Sequence, residues 1–102
     1  MAGGDDLRQE LLSVWEAHRD AGWPKGSGAN EGELMTLDTV ISGCMVYFLD
    51  SQGTLDPQRA DILQGCIEDL DLLLPELAEE SCEYFSRLRI LATLLLDSTK
   101  RL

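Results

Sequence analysis

The sequence predicts an all-α protein, a four-helix up-down bundle. Apolar residues recur at three- and four-residue spacing through four segments, the period of a helix with one buried face. Glycine and proline punctuate the gaps between these segments. No stretch alternates apolar and polar residues between Asn-Gly or Asp-Gly turns, so no strand competes. Helices are expected over residues 5–21, 31–51, 57–73 and 76–98. A chain of 102 residues fits one domain, 1–102, with a single core.

The first helix opens on Asp5 and Asp6, acids suited to free N–H groups and to the positive end of the helix dipole. Leu7, Leu11, Val14, Trp15 and His18 form its stripe, and Leu12 widens it. Gly22 at the left-handed position, Trp23 folding back and Pro24 are expected to stop it. Asn30 with Glu33 three residues on is a capping-box pattern for the second helix. Its core stripe is Leu34, Leu37, Ile41, Cys44, Met45 and Phe48, with Val40 and Tyr47 on a second flank. Such wide apolar cover predicts the central helix of the bundle. Gly53 is the expected cap at its end.

Asp56 and Pro57 open the third helix as N-cap and N1, where the missing proline N–H costs nothing. Ala60, Leu63, Cys66, Ile67, Leu70 and Leu74 give its buried face. Pro75 disfavours helical geometry at Leu74 and ends or kinks the helix there. In the fourth helix, Leu77, Ser81, Tyr84, Phe85, Leu88, Leu91 and Leu95 share one face. Lys100 and Arg101 follow, complementing the dipole. A turn at Pro75 gives a hairpin. A kink gives one long rod that needs a second copy to cover it.

Composition bounds the function classes. Hydrophobic residues at 44% and charged residues at 26% suit a folded soluble protein and oppose wholesale disorder. No apolar run approaches the roughly 18 residues of a membrane span, and the start lacks a basic then apolar leader. These points favour the cytoplasm and no membrane. Net charge is −11, and residues 26–86 hold thirteen acids against the single base Arg59. Nucleic acid is disfavoured, because phosphate neutralisation needs clustered Lys and Arg. Cys44, Cys66 and Cys82 are odd in number and lack a Cys-x-x-Cys pair, so they read as reduced, buried thiols rather than a metal site or a disulfide frame.

The motifs point away from chemistry. In "GWPKGSGANEG", residues 22–32, Lys25 precedes Gly26 and no strand leads in, unlike a phosphate-cradling loop. Glu31 and Glu33 would repel a phosphate at the next helix start. "KGSGAN", residues 25–30, resembles the run that follows the phosphorylated histidine in histidine phosphotransfer domains, which are acidic four-helix proteins of this length. The likeness covers six residues. Gly22 stands where that family carries its histidine, Pro24 breaks the intervening turn, and His18, the single histidine, lies four residues earlier. Between residues 50 and 61, Gly53 and Leu55 fall at positions 4 and 6 and Asp61 at position 12, so the ligand spacing of a calcium loop is not met. One histidine cannot supply a di-iron bundle's paired motifs. A cysteine nucleophile would need His18 beside Cys44, Cys66 or Cys82. No catalytic residue, cofactor or metal is expected.

What remains is an acidic knuckle around Pro75: Glu68, Asp69, Asp71, Glu76, Glu79, Glu80 and Glu83, with no base among them. Like charges at i, i+4, such as Glu76 with Glu80, cost a few tenths of a kcal/mol. The expected function is a non-enzymatic protein-interaction module, inhibitor-, immunity- or chaperone-like, masking a basic partner through this knuckle. The alternative is a structural or regulatory homodimer, motivated by the two apolar flanks of the second helix and by Leu94 and Leu96 off the main stripe of the fourth. A phosphotransfer protein comes third.

Overall fold

Four helices and no strand make up the described residues, 2–24 and 28–100 of the chain, in the structure, a computed structural model. The helices are α1 (Ala2–Asp20), α2 (Glu31–Asp50), α3 (Pro57–Leu73) and α4 (Glu79–Lys100), with short 3-10 turns at Gly28–Asn30 and Leu74–Glu76. The protein is therefore all-α, a four-helix bundle. The cross-contacts are compatible with an up-and-down course. His18 near the end of α1 meets Asp38 in the first half of α2, while Arg8 near the start of α1 lies by Gly53, just beyond α2. Leu55 before α3 bonds Thr99 at the end of α4, and Asp71 meets Arg89.

The sequence periodicity translates into a core. The six residues of the α2 stripe, Leu34, Leu37, Ile41, Cys44, Met45 and Phe48, are all buried. Leu11, Leu63, Cys66, Ile67 and Leu70 join them, with Tyr84, Phe85, Leu88, Leu91 and Leu95 from α4. Burying one such side chain contributes about 1.5–3 kcal/mol. Asp56 caps α3 as its sequence demands, accepting from the Arg59 amide at 2.8 Å, with Pro57 at N1. Leu74, Pro75 and Glu76 form a 3-10 turn, and α3 packs against α4. Pro75 thus sits in a hairpin rather than in a kinked rod.

Several expectations are corrected. The central helix is α4, which packs on α1, α3 and α2; α2 keeps an uncovered face with Met35, Val46, Tyr47 and Leu49 exposed. Periodicity shows how wide an apolar face is, and not whether this chain covers it. Leu96 is buried in the core and Leu94 packs partly against it, so neither supports a dimer face. The first helix starts at Ala2, placing Asp5 and Asp6 inside it rather than at its cap. Gly22 does not take a left-handed φ, and the Asn30 side chain makes no capping bond. The connector is held by Trp23 instead. Its ring meets Tyr84 and Phe85 edge-on, each at 5.6 Å, and its indole N–H donates to Glu31 at 3.0 Å.

At the end of α2 the Gly53 amide bonds the Phe48 carbonyl at 2.8 Å, the long bond of a Schellman turn. The left-handed position before it belongs to Gln52, at φ 60°; Gly53 follows at 87°. Lys25, Gly26, Ser27 and Arg101 lie outside the described residues, and Lys100 is the last residue of α4.

Candidate functional site

The seven acids fall on the α3–α4 hairpin: Glu68, Asp69 and Asp71 on the last turns of α3, Glu76 in the turn, and Glu79, Glu80 and Glu83 on the first turns of α4. All seven are exposed. The expectation of no base among them needs correction. Arg89 reaches across from α4 and binds Asp71 twice, Nε to Oδ1 at 2.6 Å and Nη2 to Oδ2 at 3.3 Å. The antiparallel hairpin brings a base eighteen residues away level with its acid, which linear charge counting does not see. With Arg89 and Asp71 both solvent-exposed to a third or more, the pair contributes about 0–1 kcal/mol. The other six carboxylates form no ion pair among the described residues.

Leu72 lies near the end of α3 on this hairpin, 74% exposed and the most exposed of the large apolar side chains described. Glu68 and Asp69 lie four and three residues before it within α3, so on helical spacing they share its face. An exposed leucine beside carboxylates has the two ingredients of an interface, an apolar contact and a polar rim.

A second cluster lies inside the bundle, and sequence reasoning passed over its centre. Asp38, on the buried side of α2, accepts three side-chain hydrogen bonds. His18 Nε2 donates to Oδ1 at 2.7 Å, the Ser42 hydroxyl to Oδ1 at 3.2 Å, and the Tyr84 hydroxyl to Oδ2 at 2.6 Å. Three helices meet at this one carboxylate. Burial alone would raise the Asp38 carboxyl, but the bonds from His18 and Tyr84 outweigh it and hold the group below its ordinary 3.8. Burial, with the bond to Asp38 added, pushes the Tyr84 phenol well above its ordinary 10.0. His18 is 5% exposed, and its Nδ1 has no partner. The Trp15 ring stacks beside it and Tyr84 tilts against it, with centroids at 6.3 and 5.0 Å.

The arrangement locks helices together and shields the imidazole. His18, on the apolar stripe of the first helix by its spacing, is a buried donor to Asp38. The cysteines are separate from it. Cys44 and Cys66 are buried, and burial raises both thiols, Cys66 to about 11, so at neutral pH they stay protonated and weakly nucleophilic. Among the described residues no group of three His, Cys, Asp or Glu side chains could hold a metal ion.

Helix α2 is long and apolar enough to cross a membrane by length and composition, with a mean hydropathy of 1.2, more than the sequence reading allowed. A core helix meets the same criterion, and Asp38 in its middle is engaged by α1 and α4. No protein-family model matches the chain, and comparison with curated proteins and with solved structures gives no significant match.

Proposed function

We propose that this protein is an acidic, non-enzymatic protein-interaction module that masks a basic surface on a partner. The observation that carries the reading is Leu72 exposed on the acidic hairpin, beside Glu68 and Asp69. The carboxylates supply long-range attraction and the choice of partner sign. Leu72 supplies the desolvated contact that charge alone does not give. An inhibitor, immunity-like or chaperone-like role has this form, in the cytoplasm, with a basic protein as ligand. The homodimer reading has lost its footing at Leu94 and Leu96 and keeps only the uncovered face of α2. The phosphotransfer reading draws no support from a histidine that is buried and bonded to a carboxylate.

The test begins with capture of partners at low salt and elution in a salt gradient. The captured basic protein is then titrated against the parent and against Glu79→Lys with Glu80→Lys. Binding should weaken with salt and fall about tenfold or more in the double variant, roughly 1.4 kcal/mol. Affinity that is indifferent to both salt and charge reversal sinks the proposal.

A further inference from the structure

An open cleft of about 530 Å³ runs between α2 and α3. Val40, Val46, Tyr47 and Ile62 give it an apolar lining, and Val46 and Ile62 are 47% and 42% exposed. Gly43 lies in the cleft, in the interior of α2, and a Cβ placed there would meet nothing within 4 Å. Gly65 on α3 is equally open. Each interior glycine costs its helix about 1 kcal/mol against alanine, and no packing within this chain requires either.

The register extends the cleft. Asp50 and Val46 from α2 and Gln58 and Ile62 from α3 all line it, and an antiparallel course pairs Asp50 with Gln58 and Val46 with Ile62. Continued along two antiparallel helices, the same pairing sets Gly43 level with Gly65, Thr39 with Asp69, and Met35 with Leu73. The line therefore ends at the acidic hairpin. From Asp50 to Met35 it covers about 22 Å at the helical rise, the length of a helix of roughly 15 residues.

Charge selects the occupant. Asp50 lines one end, and Glu68 and Asp69 stand exposed toward the other. The single base on these two helices, Arg59, is already engaged: it is ion-paired to Asp56 and stacked over the Tyr47 ring at 3.8 Å. A second copy would set one acidic rim against another, each chain carrying −11. We infer that the α2–α3 groove seats a cationic amphipathic helix of the partner, its apolar face laid over Gly43 and Ile62 and its basic flanks toward Asp50 and Asp69. Helix-in-groove recognition of this kind uses anchors at i, i+3, i+4 and i+7. The inference rests on the reading of the chain as an interaction module and adds the groove and the partner's shape.

The experiment uses a labelled synthetic leucine–lysine amphipathic peptide of about 15 residues and the full protein, read by fluorescence anisotropy at micromolar concentration. A peptide of the same composition scrambled off the helical period serves as control. Gly43→Leu fills open space, so the variant should melt no lower than the parent while binding the peptide about tenfold or more weakly. Ile62→Lys, at an exposed position, gives the same loss by charge and covers the case in which Gly43→Leu fails to fold. Equal binding of the scrambled peptide, no binding of the amphipathic one, or binding that both variants leave unchanged overturns the inference. If Glu79→Lys with Glu80→Lys abolishes binding while the groove variants do not, the groove falls and the acidic hairpin stands. A parent dimer in light scattering that Gly43→Leu splits assigns the groove to a second copy and also overturns it.

Discussion

Replacing Tyr84 with phenylalanine removes one hydroxyl from the Asp38 cluster and little else. The ring keeps its place against Phe85 and Trp23, whose centroids lie 4.8 and 5.6 Å away. The lost bond is short, 2.6 Å, and its acceptor is a carboxylate, so it belongs to the class that contributes about 1.5–3 kcal/mol. Asp38 retains His18 and Ser42. The charge is therefore not orphaned, and about 2 kcal/mol is expected from this range. In a chain of this size that lowers Tm by roughly 8–16 °C. Urea denaturation of both proteins, with unchanged m, measures the difference at each pH.

The pH dependence identifies the acceptor. The folded carboxyl of Asp38 lies below its unfolded value, so its contribution is present above about pH 4 and is lost as pH falls through the folded value. There the bond becomes neutral to neutral and the cost of Tyr84→Phe shrinks toward about 1 kcal/mol. At the other extreme the Tyr84 phenol is raised. Its contribution is complete below about pH 10 and is lost as pH rises through the folded value, so the two proteins converge again. A cost below about 0.5 kcal/mol at neutral pH, or an equal cost at neutral and strongly acid pH, refutes a charged acceptor in a closed cluster.

Two further outcomes follow from local geometry. Gln52→Gly relieves a left-handed residue that costs about 1–2 kcal/mol, less about 0.5–1 kcal/mol for the added chain entropy; a gain of about 0.5–1 kcal/mol by denaturation is expected, and no gain means the strain is absent. At mildly alkaline pH a thiol reagent should label Cys82, the half-buried thiol, quickly, and Cys44 and Cys66 only as fast as the protein opens, because burial both hides and raises them. Two or three fast thiols by mass spectrometry contradict that packing.

Much of the scaffold was legible in the residues themselves. The stripe from Leu34 to Phe48 is buried as its spacing requires, Asp56 and Pro57 begin α3, and Pro75 closes a turn. These features depend on neighbours three or four residues apart, and such neighbours are written consecutively in the chain. The acids of the hairpin were equally readable, since exposure of charge is the default. Asp38 was within reach too: a carboxylate directly after Leu37 and three residues before Ile41 breaks the apolar side of its helix, and a group placed so must find partners.

Which partners it found was decided only by tertiary structure. His18 and Tyr84 lie 20 and 46 residues from Asp38, Arg89 lies 18 from Asp71, and Gly43 and Ile62 line one cleft only because α2 and α3 pack together. The exposure of Met35, Val46, Ile62 and Leu72 has the same origin. An apolar stripe records that a face can be buried, at about 25 cal/mol per Å². Whether another helix of the same chain reaches it depends on how all four pack together. The sequence by itself determined the helices, their inward faces and the sign of the surface; packing decided that α4 is the centre, that one carboxylate ties three helices together, and that one groove is left open.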